Sequence, residues 1–464
     1  MIGLSYWWMM LKFYDRKAEL AAMEKAYSTE SSEMVIVSGR RRIGKSRLVD
    51  EFLKVKDCAK ILVVPKEEKL VASDFATALS NGYAPTFNTV ESALEYFFNI
   101  SKKKILYIDE FPNLIEVDTS IPHVFQRVWE KYKDQTAKML IFSGSYVSMM
   151  NKIFTQQKAP LFNRASYNMV LQPFSLDVVW EIQTDLGIGA IDKIKNYCIL
   201  GGIPYYYELL EKRTNRDDVV YDFFFDVAAP LKEEGQNVLR QEFGAAYKKY
   251  FSIIEAIGAG VVSGSEIANR LGVAQTTLSK YIVALQRDFQ LVERSVPFGQ
   301  NLQRSKKGVY SIKDNTIAFW FTNVYGKIEP PNNDTLNEFI SRRFEVFCKT
   351  FLTQYLKNMG ETVVRIGRWW GSVEVSSGKF ENREIDVIVE TQTNLYVGEC
   401  KWTNKKTSRA ELYRLEESYK ALKTNKPVKK VLFTKTGFDF SDNRADVILF
   451  DPARIEAEIA KFSQ

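Results

Sequence analysis

The chain has 464 residues, 45% hydrophobic and 26% charged, the balance of a globular protein long enough for about three domains. Its net charge of +7 permits nucleic acid as a partner without requiring it. One histidine, His123, and four scattered cysteines, Cys58, Cys198, Cys348 and Cys400, argue against a His-based zinc site and leave free thiols in a reducing compartment as the expectation. No run reaches the roughly 20 apolar residues of a membrane span, so a cytoplasmic protein is expected.

Residues 2–11 are apolar and aromatic. They suit an extra strand, a partner-binding arm or a stretch ahead of the domain proper, and the role of residues 1–9 stays open. Residues 17–27 have amphipathic helical spacing, with Asp15 a candidate N-cap. Next, Met34-Val35-Ile36-Val37-Ser38 runs as a strand into Gly39-Arg40-Arg41-Arg42-Ile43-Gly44-Lys45-Ser46-Arg47, which opens a helix. This is the G-x-x-x-x-G-K-S phosphate-binding loop in its strand–loop–helix setting. Gly39 and Gly44 let backbone N–H groups turn inward toward phosphate oxygens, and the helix at Lys45 presents its positive end to the same anion. Lys45 is expected on the β- and γ-phosphates of ATP, and Ser46 on Mg²⁺.

Further strands are expected at 60–64, 104–111 and 138–142, with helices at 69–80 and 89–99 on either side of a turn at 81–85. Strands alternating with helices point to a parallel sheet, whose ligands bind at the carboxyl ends of its strands. There an apolar strand ends in Asp109-Glu110. Asp109 suits Mg²⁺, and Glu110 suits the water that attacks the γ-phosphate. Ser145 follows the next strand and is either a γ-phosphate sensor or a turn residue. Arg164 lies in the loop beyond and is a candidate for stabilising charge on the γ-phosphate.

From residue 172 to about 240 the pattern turns helical and aromatic-rich. Between 245 and 325, two short helices around Gly272 and two strands around a basic loop form a winged-helix pattern. On DNA, Gln275, Thr276, Thr277 and Lys280 would face the major groove, and Arg304, Lys306 and Lys307 the phosphates. The linker 329–334 then precedes a helix from Ser341 and strands at 384–389 and 395–402. Those strands set Asp386 beside Glu399-x-Lys401, and Glu345 on the helix would complete a metal shell.

These motifs resemble the archaeal ATPase family, also found in bacteria, in the STAND-related branch of AAA-like phosphate-loop ATPases. The resemblance rests on Phe13-Tyr14-Asp15-Arg16, the 38–46 loop, Tyr107-Ile108-Asp109-Glu110-Phe111, 143–145, 160–164 and Gly201-Gly202-Ile203-Pro204. It implies an α/β phosphate-loop NTPase domain (10–175), a helical lid (176–244), a winged-helix domain (245–328) and a restriction-endonuclease-like α/β domain of PD-(D/E)xK type (335–464). It also implies Arg164 as γ-phosphate sensor. Ile385 stands where that type carries proline before Asp386.

Two functions fit these expectations. One is a Mg²⁺-dependent ATPase whose nucleotide state controls DNA binding or cleavage, with Lys401 catalytic and Glu345, Asp386 and Glu399 on metal. The other is a nucleotide-gated regulatory switch with an inactive nuclease-like module. A homo-oligomer or a protein partner is compatible with both.

Overall fold

The structure, a computed structural model, describes residues 12–81, 85–212, 218–376 and 378–462. The apolar stretch 2–11 and the middle of the 81–85 turn lie outside the described residues. The chain divides into two compact units, Lys12–Pro173 and a second from Phe174 onward.

The first unit is a five-stranded parallel sheet in the order β2-β3-β4-β1-β5. Its strands are β1 (Glu33–Ser38), β2 (Cys58–Leu62), β3 (Ile105–Asp109), β4 (Met139–Gly144) and β5 (Tyr167–Val170). Helices α1 (Lys17–Tyr27), α2 (Lys45–Leu53), α3 (Glu68–Leu79), α4 (Val90–Asn99), α5 (Asn113–Val117), α6 (Ile121–Tyr132) and α7 (Val147–Phe154) connect and flank them. The unbroken apolar runs of β1, β3 and β4 are buried, as inner parallel strands must be. At one edge, β5 alternates half-buried and exposed residues. Under the carboxyl end of β3, Phe111 packs on Phe142, Phe125 and Phe154 with ring centroids 4.5, 5.1 and 5.4 Å away. That cluster gives the residues above it a rigid floor.

Asp15 does not cap α1. It and Arg16 both sit at positive φ, and the cap position is Arg16, which makes no side-chain cap bond. The Arg16 guanidinium instead reaches the Gln172 carbonyl at 2.6 Å and Glu19 at 3.2 Å. His123 is exposed in the first turn of α6.

The second unit begins with α8 (Leu176–Asp185), α9 (Ala190–Leu200), α10 (Pro204–Lys212) and α11 (Glu234–Phe243). Next come α12 (Tyr247–Gly258), α13 (Gly264–Leu271) and α14 (Gln275–Arg287), then an antiparallel hairpin of β6 (Val292–Ser295) and β7 (Val309–Ile312). Ser263 and Glu266 form a reciprocal cap at the start of α13, and Gly272 ends it at φ 62°. After α15 (Asn315–Phe319), the long helix α16 (Asn333–Asn358) starts well before Ser341, because the Asn332 side chain caps it through the Thr335 N–H at 2.9 Å.

A second five-stranded sheet follows: β8 (Val363–Ser376), β9 (Lys379–Thr391), β10 (Leu395–Lys401), β11 (Val428–Thr434) and β12 (Val447–Phe450), in the order β12-β11-β10-β9-β8. β8, β9 and β10 pair antiparallel, whereas β10, β11 and β12 pair parallel. The Phe351 ring of α16 lies 5.0 Å from Phe450 and 6.1 Å from Phe433. Leu412 and Leu415 of α17 (Arg409–Ser418) bury against Ile385, Ile388, Val397 and Leu432, and α18 (Pro452–Ile459) closes the chain. Among the described residues, no helix is long and apolar enough to cross a membrane.

Candidate functional sites

At the carboxyl end of β1 the chain leaves Ser38 through Gly39 at φ 151° and enters α2 through Gly44 at φ 90°. A Cβ on Gly39 would meet Ile43 Cγ2 and the Leu171 carbonyl at 3.1 Å, so the loop closes this tightly only on glycine. Ile43 is buried and anchors the loop from within. Arg41 is exposed, Arg40 and Arg42 are half-buried, and Arg42 adopts φ 68°. Arg47, on the first turn of α2, reaches the Lys12 carbonyl at 3.4 Å.

Three strand ends meet at this loop. Lys45 is buried, and its ammonium donates to the Gly39 carbonyl at 3.0 Å, the Arg40 carbonyl at 3.2 Å and the Ser145 hydroxyl at 2.8 Å. The Ser145 hydroxyl donates in turn to Glu110 Oε1 at 2.5 Å, and the Ser145 N–H to Glu110 Oε2 at 3.1 Å. Ser46 Oγ donates to Asp109 Oδ2 at 2.9 Å. The other Asp109 oxygen accepts from Ser143 Oγ and from the Glu110 N–H at 3.0 Å. Tyr107 completes the web, its hydroxyl 3.0 Å from Ser143 Oγ. Burial first, then the Asp109 charge, pushes the Tyr107 phenol well above its usual range, so it stays a neutral donor. Tyr107 and Ser143 stand in the motifs quoted from the sequence, but the sequence reading assigned neither of them a role.

The Ser46 hydroxyl and the Asp109 carboxylate form an oxygen-only pair of the kind Mg²⁺ takes. Glycine-loop geometry and an adjacent lysine suit a polyphosphate. The residues present therefore fit both groups.

Arg164 does not join them. It precedes β5, whose parallel pairing with β1 places it at the amino ends of the strands, the opposite end from the phosphate loop. There its guanidinium pairs with Glu130 at 2.9 Å and donates to the Phe162 carbonyl at 3.0 Å, beside Ser31, Ser32 and Glu33. A γ-phosphate bound in the same chain is out of its reach, which corrects the expected sensor role.

In the second unit, Asp386 of β9 and Glu399 and Lys401 of β10 sit side by side across an antiparallel pair. The Cys400 N–H donates to Asp386 Oδ2 at 2.8 Å. Lys401 Nζ lies 2.6 Å from Glu399 Oε1 and 3.3 Å from Glu411 Oε2 on α17. Glu345 approaches from α16, 3.9 Å from the Arg368 guanidinium. Burial, followed by mutual repulsion, raises these carboxyls: Glu345 to about 7, Asp386 to about 7 and Glu399 to about 7. Burial lowers the Lys401 ammonium, but Glu399, Glu411 and Asp386 outweigh it and hold the group charged.

Among the described residues, however, no three His, Cys, Asp or Glu side chains are placed to hold a metal ion. Glu399 is turned to Lys401, Asp386 to the Cys400 N–H and Glu345 toward Arg368. The expected shell of Glu345, Asp386 and Glu399 is thus gathered but not closed around a common point. Glu384, Arg368 and Glu411 also belong to the cluster and were missed. Glu384 was legible, since it shares a strand face with Asp386 two residues on.

On α14, Gln275, Thr276, Thr277 and Lys280 are exposed, as are Arg304, Lys306 and Lys307 in the hairpin loop.

A phosphate loop after a central parallel strand, its serine bonded to an aspartate from the end of another strand, defines the class: this is a phosphate-loop ATPase fold built to bind nucleotide. More particularly, residues 13–210 match the family described as an ATPase domain predominantly from Archaea. Residues 319–412 match a family described as archaeal and bacterial proteins of unknown function. An uncharacterized protein of Methanocaldococcus jannaschii is 29% identical over 426 residues, spanning 85% of this chain and 88% of the relative. An uncharacterized ATP-binding protein of the same organism is 36% identical over 47 residues, 10% of this chain and 80% of the relative. Among solved structures, the Walker-type ATPase of Pyrococcus abyssi covers 67% of this chain and 96% of its own, with 16% identity and a TM-score of 0.48.

Proposed function

We propose that this chain is a Mg²⁺-dependent ATP-binding and ATP-hydrolysing protein whose nucleotide state controls DNA binding or cleavage by its C-terminal part. The hydrogen-bonded run from Lys45 through Ser145 to Glu110, beside the Ser46–Asp109 pair, is the observation that carries it. In this reading the 39–47 backbone and Lys45 seat the triphosphate. Ser46 and Asp109 hold Mg²⁺, which supplies charge neutralisation on the phosphate oxygens when bound. Glu110, gripped at both oxygens by Ser145, orients the attacking water and accepts its proton. Because Lys45 and Glu110 share the Ser145 hydroxyl, drawing Lys45 onto a phosphate loosens one side of that grip and couples binding to water activation.

The second unit supplies the output. We assign 10–175 to the ATPase domain, 176–244 to a helical lid, 245–328 to a winged helix and 335–464 to a nuclease-like domain, in a cytoplasmic protein that works with a second copy or a protein partner. In this reading Lys401 polarises a phosphodiester beside Asp386. A second reading, a nucleotide-gated switch with an inactive nuclease-like module, draws on one observation: Lys401 is held between Glu399 and Glu411.

Cleavage of plasmid and linear DNA, with ATP, ADP or no nucleotide, separates the two. Mg²⁺-dependent cleavage lost in Asp386→Ala supports the nuclease output. Nucleotide-sensitive DNA binding without cleavage in either protein supports the switch.

A further inference from the structure

Within the second unit, a cavity of about 920 Å³ lies between the β6–β7 hairpin and the α16–β8–β9 corner. Asp386, Glu384 and Glu345 form part of its wall. On α16, Arg342, Glu345, Val346 and Lys349 recur at helical spacing and line it together. Arg365 and Arg368 of β8 face it from the sheet, and Phe298 and Tyr310 from the hairpin.

The hairpin is strapped to the sheet. The Phe298 N–H donates to the Arg368 carbonyl at 2.8 Å, covering edge strand β8. The Arg365 guanidinium lies 4.1 Å from the centre of the Phe298 ring. Gly367 admits that ring, since a Cβ there would stand 3.0 Å from Phe298 Cδ2. Behind it, Arg343 is buried, and one of its terminal nitrogens donates to the Ile312 and Asp314 carbonyls at 2.9 Å each, tying α16 to the end of β7. The Arg343 Nε is buried without a hydrogen-bond partner. A hairpin held this way walls the acidic cluster, and its exposed loop with Arg304, Lys306 and Lys307 lies beyond the strap.

Such a space suits a chain of phosphodiesters with its bases unstacked. Carboxylates alone would repel it, and the arginines and Lys349 offset that repulsion. Tyr310 offers a ring to a base, and the Arg365 guanidinium stacked on Phe298 offers a planar cation, surfaces of the kind single-strand binders use. The volume is at the upper end of small-ligand cavities, roughly 300–1,000 Å³, and far below a duplex. We propose that this cavity seats a short single-stranded nucleic acid segment and presents its backbone to Asp386. The proposal rests on the reading of the Asp386 cluster as a nucleic-acid site and names its substrate class.

Fluorescence anisotropy of the full chain with labelled oligothymidylate, and with a duplex of equal length, tests it. Lys349→Glu, Lys349→Gln and Phe298→Ala probe the cavity; Lys280→Glu and Lys306→Glu probe the exposed helix and loop; thermal melts confirm folding. The expected result is at least tenfold tighter binding of the single strand, weakened about tenfold by Lys349→Glu and less by the other two cavity variants, with a shallower salt dependence. The Lys280 and Lys306 variants should weaken duplex binding, and single-strand binding by far less than Lys349→Glu does. Duplex preference, lost with Lys280→Glu or Lys306→Glu but kept with Lys349→Glu, overturns the cavity proposal while leaving a nucleic-acid role standing. No binding of either probe in any nucleotide state overturns both.

Discussion

Ser145 grips Glu110 twice, its hydroxyl 2.5 Å from Oε1 and its backbone N–H 3.1 Å from Oε2. Glu110 itself sits at φ 52°, a left-handed conformation uncommon outside glycine. A carboxylate fixed this way points without rotamer search. Removing the hydroxyl in Ser145→Ala deletes one bond to a charged group, about 1.5–3 kcal/mol. The expected outcome is a fall in ATP turnover of roughly 10- to 100-fold with little change in ATP affinity, measured by phosphate release and titration. Equal losses in affinity and turnover would instead make Ser145 a binding residue.

Lys45→Ala should abolish nucleotide binding. With ATP at about 100 times its Kd, binding adds about 2.7 kcal/mol to the wild-type fold, seen as a raised Tm. The variant should melt at the same temperature with and without ATP. A preserved shift would place the nucleotide elsewhere.

Arg164 is bound to Glu130 at the amino ends of the strands. Arg164→Ala should therefore leave ATP affinity unchanged and cost no more than about 1 kcal/mol of stability, as for an exposed ion pair. Turnover should also be unchanged at protein concentrations where the chain is monomeric. A large loss there would contradict the placement.

The raised carboxyls of Glu345, Asp386 and Glu399 have a consequence for stability. Each stands near 7, above the roughly 4 of an unfolded carboxyl. Between about pH 4 and 7 the folded chain holds protons that the unfolded chain has released, so stability falls as pH rises through that window and then levels. Asp386→Asn removes one charge from the set and should raise stability on the order of 2 kcal/mol at pH 8, with a much smaller gain at pH 5. Urea melts at the two pH values check this; a loss of stability at pH 8 would mean that the Asp386 bond to the Cys400 N–H outweighs the repulsion.

Much of the first unit was legible because its signals are local. The α1 boundaries, the glycine loop and the apolar strand ending in Asp109-Glu110 each follow from short-range pattern. Arg164 was misplaced because β5, only Tyr167-Asn168-Met169-Val170, was not recognised as a strand. Once its parallel register to β1 is known, the residue before it must lie at the amino end. In the second unit, β8 escaped for a different reason. Register shifts at Val363/Arg365, Gly367/Trp369 and Glu374/Ser376 break its alternation, and its charged and glycine residues suit an exposed edge. The cavity beside it depends on contacts between residues some 70 apart in the chain, Phe298 with Gly367 and Arg368, which no periodicity carries.

The central claim is that residues 39–46 bind ATP and that Glu110 activates the attacking water. Steady-state ATP hydrolysis and ATP affinity, measured with Mg²⁺ for wild type and Glu110→Gln, test it most directly. The account predicts hydrolysis by the wild type, reduced about 100-fold or more in the variant, with affinity intact. Undiminished hydrolysis by Glu110→Gln, or no ATP binding by the wild type, would contradict it.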